Sequence, residues 1–410
     1  MSFSRAFYAF LHLRFYVATG WHMQSLVVGY YLYALTRDPF VLALVGMAEA
    51  IPAIGGALPM GYVVERLNKR KAIISGLALI IASAVGTAFL LLPNTLHTLG
   101  QSAILYGMLA MIIVNGFARA IYSPAMFSTL GRLVDREHIA RASALSSTVW
   151  QSAMIAGPLV GGLLYGYLGA EVTGLSIVCL MTFGSLGVLF LPSMPAVLQA
   201  TAKSGMMRDV TMGLRFILSH RVILGALSLD LFAVLFGGVV ALLPAFATEV
   251  LHVDERGLGL LRASMSIGSV VMMAVLSWKP IGRSAGTIML AAVAGFGGCI
   301  LGFASSTSFV LSVLCLMCAG AFDSISVVVR HTVLQLHTPE DMKGRVAAAN
   351  TMFISSSNEL GAVESGLAAR MFGIVPSVYL GGVMTLLVVA IIWWSVPQLR
   401  TLDLRTDRNT

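Results

Sequence analysis

Nine ionisable side chains stand inside stretches that are otherwise apolar: His22, Glu49, Arg119, Asp230, Arg262, Asp323, Arg330, Glu359 and Glu364. A charge in such surroundings is costly, so it is either paired or put to use. Carboxylates of this kind can carry protons. Burial raises a carboxyl's pKa and a nearby guanidinium lowers it, so a change of exposure can drive proton uptake and release. His22 adds an imidazole, a group that titrates near neutral pH. A lone helical His is also a common hydrogen-bonded packing residue. Asp323 and Arg330 are seven residues apart, which puts them on one helix face two turns apart. That is too far for a direct pair unless the side chains reach toward each other or a third group bridges them. The plainer reading of all nine is that they pair with one another and fix helix packing. No nucleotide-binding P-loop pattern is present, so ATP hydrolysis is not expected. No catalytic cluster, cofactor or metal is expected either, and nothing predicts an enzyme.

The elements that must hold these groups follow from composition. Hydrophobic residues make up 58% of the 410 and charged residues 11%. Mean hydropathy is +0.88. Soluble domains carry about 25% charged residues, so the bilayer is the expected solvent. The 41 glycines suit close helix approach in lipid. A net charge of +8 raises nucleic acid as a partner, but the basic residues are spread by topology and not gathered on one soluble face. Cys179, Cys299, Cys315 and Cys318 fall inside apolar runs and read as packing residues.

Apolar stretches long enough to cross a membrane fall near 8–34, 40–63, 72–92, 102–128, 143–167, 173–191, 221–247, 258–278, 286–305, 309–332, 346–370 and 377–396. Polar breaks such as Thr36-Arg37-Asp38-Pro39 and Thr338-Pro339-Glu340-Asp341 separate them. Most Lys and Arg lie in alternate loops, and the other side holds little beyond Arg37 and Arg256. The positive-inside rule therefore places both termini in the cytoplasm, as an even number of crossings requires. Arg5 precedes a long apolar run without a cleavage site, so the first helix is expected to stay as an uncleaved anchor.

The chain also repeats itself. Arg141, Ala144, Gly157, Gly162, Leu163 and Gly169 recur 204 residues later as Arg345, Ala348, Gly361, Gly366, Leu367 and Gly373, and Gly116 recurs as Gly320. In the same register Arg119 answers to Asp323, and opposite charges at matched sites could pair. Many secondary transporters are duplicated bundles with a substrate path between the halves. The expected architecture is an all-α membrane protein of twelve transmembrane helices in two pseudo-symmetric six-helix bundles. Residues 1–192 form the first bundle and 221–396 the second. Residues 193–220 form a cytoplasmic linker and 397–410 a cytoplasmic tail. Within the linker, Met207, Val210, Leu214, Ile217 and Leu218 have helical spacing with Arg208, Asp209 and Arg215 between them, which predicts an amphipathic helix on the membrane surface.

Two motifs go further. Gly61-Tyr62-Val63-Val64-Glu65-Arg66-Leu67-Asn68-Lys69-Arg70-Lys71 resembles the loop motif of the major facilitator superfamily, with Glu65 in place of the usual Asp and Asn68 in place of the usual Gly. Asn tolerates left-handed geometry and can still turn the chain there. Gly157-Pro158-Leu159-Val160-Gly161-Gly162 resembles the antiporter signature of the same superfamily. Its Pro removes a backbone donor and kinks the helix, and its glycines allow a tight crossing. The strings Arg330–Val346 and Asn358–Gly366, with Trp21-His22-Met23-Gln24, look like the enterobactin-exporter-like branch, in which Gln usually stands at the place of His22.

The resemblance implies that helices one, four, seven and ten line a central path, carrying His22, Arg119, Asp230, Asp323 and Arg330. Helices two and eleven add Glu49 and Glu359. Gly61, Glu65, Arg66, Arg70, Gly157, Pro158, Gly161 and Gly162 are then conformational-motif residues. Trp21, Tyr30, Tyr122, Trp150, Phe232 and Phe236 are available to line an apolar cargo pocket. The function implied is export of a small organic molecule, a siderophore or drug-like compound, by proton antiport across a prokaryotic inner membrane. The protein is expected to act as a monomer, with protons and the lipid bilayer as its other partners. An importer, a lipid flippase or a non-transporting receptor stays open as an alternative.

Overall fold

Ser4 opens the first helix. Its hydroxyl accepts the Phe7 N–H at 3.2 Å, satisfying one of the donors that a helix start leaves orphaned. This helix, α1 (Arg5–Thr36), ends where Arg37 turns left-handed at φ 53° and its N–H reaches the Tyr33 carbonyl at 2.8 Å. Asp38 then accepts the Phe40 N–H at 2.9 Å and starts α2 (Phe40–Gly55). A computed structural model describes residues 3–56, 68–193, 206–279, 281–282, 284–339 and 342–403. Gly61, Glu65 and Arg66 lie outside the described residues.

Asn68 is described, and it does not turn left-handed. At φ −57° it caps α3 (Lys69–Leu90), and its side chain accepts the Arg70 N–H at 3.0 Å. A capping Asn supplies an acceptor that Gly lacks. There follow α4 (Pro93–Leu99), α5 (Gln101–Leu133), α6 (Ile139–Ser185), α7 (Met206–Ser219), α8 (Arg221–Gly237) and α9 (Leu243–Glu249). The chain goes on through α10 (Glu255–Trp278), α11 (Ala285–Ala304), α12 (Phe309–His337), α13 (Lys343–Phe372), α14 (Ile374–Ser395) and α15 (Pro397–Arg400). Among the described residues no strand occurs. A helix satisfies its backbone polar groups internally, as lipid demands.

Each of the twelve expected spans overlies one of these helices. The fifth and sixth share α6, and the seventh covers α8 and α9. Eight helices among the described residues are long and apolar enough to cross a membrane. Helices α1 and α13, of 32 and 30 residues, are long enough but too polar to stand out by composition. Phe127 is 81% exposed and Trp278 87% exposed. Apolar surface of that kind is stable against lipid and not against water.

The described helices gather into two units. Unit 1 comprises Met1–Arg37, Met47–Thr201 and Val253–Ala263, and unit 2 comprises Asp38–Gly46, Ala202–His252 and Ser264–Thr410. Within unit 1, α1 packs mainly on α6, and α3 on α5. Within unit 2, α11 packs on α12 and α14, while α8 packs on α13 and α14. The repeat has a backbone counterpart. Gly169 breaks α6 at φ 80°, and Gly373 separates α13 from α14 at φ 94°. Only Gly adopts such values without strain, which accounts for the residue at both joints.

Amphipathic helix α7 is held to unit 2. Gly213 lies so close to the Arg345 carbonyl that a Cβ would strike it, and Ile217 is fully buried, while Arg215 and Leu218 stay exposed. Its apolar stripe is thus partly consumed by protein.

Candidate functional site

Unit 1 gathers its charges around two indoles. On α1, Arg14, Trp21, His22 and Ser25 recur at helical spacing and share a face. The rotation of α1 is fixed by a buried amide. Gln24 Nε2 donates to Thr87 Oγ1 at 2.8 Å and to Ser83 Oγ at 3.3 Å, and Gln24 Oε1 accepts from Asn115 Nδ2 at 3.3 Å. Its approach to α6 is fixed by Gly157. A Cβ at that position would sit 2.5 Å from His22 Cβ and 2.9 Å from the Thr19 carbonyl. The repeat partner Gly361 does the same work in unit 2, where a Cβ would meet the Leu235 carbonyl at 2.9 Å.

A four-member stack results. The Arg119 guanidinium, from α5, lies 3.6 Å from the Trp21 ring centroid. The Trp21 and Trp150 centroids are 5.9 Å apart, and the Arg14 guanidinium lies 5.2 Å from that of Trp150. Each cation faces an indole within the range of cation–π attraction. His22 sits beside both rings, 4.6 Å from Trp21 and 5.7 Å edge-on from Trp150. Arg262, on α10, donates to Ser25 Oγ at 2.8 Å. The charges of Arg119 and Arg262 reach His22, and the charge of Glu49 reaches Arg262. Among the described residues, Arg14 Nε, His22 Nε2 and the Tyr122 hydroxyl find no hydrogen-bond partner.

The rest of the glycine motif serves the same unit. Gly161 faces Met23 of α1, while Gly162 faces α10, where a Cβ would sit 2.5 Å from the Glu255 carbonyl. Pro158 lies within α6, against Gly259 of α10. Arg70 Nη2 donates to the Leu189 carbonyl at 3.3 Å.

Unit 2 carries a buried ion pair. Asp230 of α8 and Arg330 of α12 bind one another, at 6% and 3% exposure. Arg330 Nε has no hydrogen-bond partner among the described residues. Asp323, two turns earlier on α12, is half-buried with no ion pair or hydrogen bond to another described residue. Next to it Ser324 is fully buried and bonded to Ser269 and to the Gly320 carbonyl. On α13, Glu359 is half-buried, and Glu364 accepts from the Ser365 hydroxyl at 3.4 Å. Phe232 and Phe236 stack on the same unit, 6.3 Å apart. Such a set can hold, release and re-pair protons and charged ligands. It contains no nucleophile activated by a base.

The sequence profile of the Major Facilitator Superfamily matches residues 11–362. The chain belongs to this superfamily. It is therefore a secondary transporter, a multi-pass membrane protein that moves a small molecule across lipid and not an enzyme. It is similar to the MFS-type transporter YfmI of Bacillus subtilis (strain 168), 23% identical over 97% of this chain and 98% of that one. It is likewise similar to the enterobactin exporter EntS of Citrobacter koseri, 24% identical over 96% and 92%. Among solved structures it resembles the nucleoside transporter NupG, with a TM-score of 0.71 at 16% identity over 95% and 99%. A D-xylose–proton symporter gives 0.71 at 15% over 97% and 98%. At such identity these two structures speak for the fold alone.

Superfamily membership leaves the individual residues to be read from geometry. His22, Arg119, Glu49 and Arg262 come together in unit 1, and Asp230, Arg330 and Asp323 share the α8–α12 region of unit 2. Sequence reasoning missed Arg14, the Gln24–Asn115 network and the pairing of Arg330 with Asp230. A signal for Arg14 existed, since it lies about two helical turns before Trp21 and His22 in an apolar run.

Proposed function

We propose that the protein exports a small organic molecule, of siderophore or drug-like kind, across a prokaryotic inner membrane by proton antiport. The observation that carries this reading is Asp323, a half-buried carboxyl on a membrane helix that has no ion-pair partner among the described residues. An unpaired carboxyl in such a place can take up and release a proton as its exposure alternates. The neighbouring Asp230–Arg330 pair supplies a second acid and a cation that can exchange partners during the cycle. Glu49, Glu359 and His22 are further groups that can relay charge. The export direction is supported by the similarity to the enterobactin exporter of Citrobacter koseri and by the Gly157–Gly162 signature.

In this reading residues 1–192 and 221–396 are the two bundles, 193–220 the cytoplasmic linker and 397–410 the tail. Twelve crossings put both termini in the cytoplasm, and a monomer suffices. Gly61, Glu65, Arg66 and Arg70 are read as conformational-motif residues on the resemblance of their sequence to the superfamily's loop motif.

The test is flux from proteoliposomes under an imposed pH gradient. Cargo should move against its own gradient when protons flow the other way, and Asp323→Asn should abolish that coupling in a folded variant. Flux indifferent to the pH gradient would remove proton antiport. Accumulation in the opposite direction would make the protein an importer. Wild-type coupling in the Asp323→Asn variant would remove Asp323 from the mechanism.

A further inference from the structure

The end of unit 1 far from the Ser4 start of α1 gathers tyrosines around an acid. Tyr30 and Tyr31 lie in the last two turns of α1, which ends at Thr36. Two glycines let the start of α10 press onto α6 there. A Cβ at Gly162 would sit 2.5 Å from the Glu255 carbonyl, and one at Gly166 would sit 2.6 Å from Arg256 Cγ. Tyr165 lies one turn on from Gly162, on the same face of α6. Its ring meets Tyr30 edge-on, with the centroids 5.6 Å apart. Glu255 and Tyr31 lie within electrostatic reach of Tyr165. All four residues belong to unit 1 and are half-buried. The cation beside them is already matched. Arg256 pairs with Asp254, and its guanidinium lies 4.8 Å from the Tyr167 ring centroid. Glu255 has no ion pair among the described residues, and its carboxylate and the Tyr31 and Tyr165 hydroxyls make no hydrogen bond to another of them.

We propose that Tyr31, Tyr165 and Glu255, with the Tyr30 ring as a wall, form a binding site for an ammonium group, supplied by a small organic amine or by a lipid headgroup. Aromatic faces attract a cation, and rings set around an ammonium are the usual cage for it. The carboxylate adds the full counter-charge that the rings lack. Tyr167 shows the same preference one turn away, since it already faces a guanidinium. An anion would meet Glu255 as a like charge, and an uncharged ligand would gain the ring contact alone. Leu163 and Tyr167, which flank Tyr165 on α6, are 47% and 68% exposed, so a lipid can lie beside the site. Tyrosines at the end of a membrane helix stand at headgroup level, where ammonium groups are found. The site depends on neither the direction of transport nor its coupling to protons.

The experiment is calorimetry on the full chain in phosphatidylglycerol nanodiscs, with choline and its uncharged isostere 3,3-dimethyl-1-butanol as probes. Choline should bind about tenfold or more tightly than the alcohol. Glu255→Gln and Tyr165→Leu should each weaken choline about tenfold, while Tyr165→Phe, which keeps the ring face, should stay within about threefold. Glu171→Gln removes an exposed acid six residues further along α6 and should leave choline binding as in the wild type. Repeating the titration in discs that contain phosphatidylethanolamine separates the two sources. Choline binding lost there, and kept in phosphatidylglycerol alone, assigns the site to a lipid headgroup. Choline binding unchanged there assigns it to a small amine, and both results support the site. Absence of saturable choline binding in phosphatidylglycerol, equal binding of choline and the alcohol, choline binding untouched by Glu255→Gln, or an equal loss in Glu171→Gln would each overturn the proposal. Where Glu255→Gln or Tyr165→Leu fails to fold, the probe ranking on the wild type and the Glu171→Gln result decide.

Discussion

Replacing Asp230 by Asn is the sharpest single perturbation the structure offers. The substitution keeps shape and volume but leaves the Arg330 guanidinium, 3% exposed, without its counter-charge. Arg330 Nε already lacks a hydrogen-bond partner among the described residues, so none of them stands ready as a spare acceptor. Breaking one side of a buried pair costs about 3–5 kcal/mol, roughly 10²- to 10⁴-fold in the unfolding equilibrium. Removing both charges is a different matter. Asp230→Leu with Arg330→Met restores apolar volume, and such replacements are neutral or stabilising by about 1–4 kcal/mol. The assay is reversible unfolding by SDS titration in bicelles for the wild type, Asp230→Asn, Arg330→Met and the double variant. Flux is measured on the same four proteins. The double variant should recover the stability that Asp230→Asn loses. If the pair opens during the transport cycle, the double variant will be stable and inactive. If it serves packing alone, the double variant will be stable and active. A single variant costing less than about 1 kcal/mol, or a double variant as unstable as the single, would refute the argument that this pair is sealed from lipid and water alike.

Four further outcomes are expected elsewhere in the molecule. Gly157→Ala should cost about 1–3 kcal/mol and change the Trp21 and Trp150 fluorescence, because the new methyl collides with α1 near His22 and the Thr19 carbonyl. Gly298→Ala, which meets open space, should cost nothing in the same unfolding assay. Gln24→Leu should destabilise by about 1–3 kcal/mol by stranding Asn115, and hydrogen exchange should rise where α1, α3 and α5 meet. Asp254 lies outside the spans, before α10. Partial desolvation pushes its carboxyl up, but hydrogen bonds from the Arg256 side chain and the Gly257 N–H prevail and hold it below its ordinary value. Its contribution should therefore be present above the ordinary Asp range and fade as pH falls through the lowered value. NMR titration of the carboxyl should show this, and Arg256→Ala should move it back up.

The chain's own order of residues carried a great deal. Long apolar runs with so few charges leave helices in lipid as the stable outcome, because only a helix satisfies its own backbone there. The 204-residue repeat marked the matching joints at Gly169 and Gly373, since a backbone conformation restricted to Gly leaves a trace in sequence. Spacing alone also marked the helical stretch that holds Met206–Ser219.

What sequence could not decide is which side chains meet across helices. Asp323 and Arg330 share a helix and invite pairing, yet Arg330 turns to Asp230 on a different helix, one hundred residues earlier in the chain. Trp21 and Trp150 were candidates among several aromatics, and Arg14 was one basic residue among many. They form a stack only because Gly157 and the Gln24 network set the distance and rotation of α1. Periodicity fixes which residues share a helix face, while contacts between helices depend on small residues and buried hydrogen bonds acting across long separations in the chain. That difference is why the fold could be read along the sequence and the site required three dimensions.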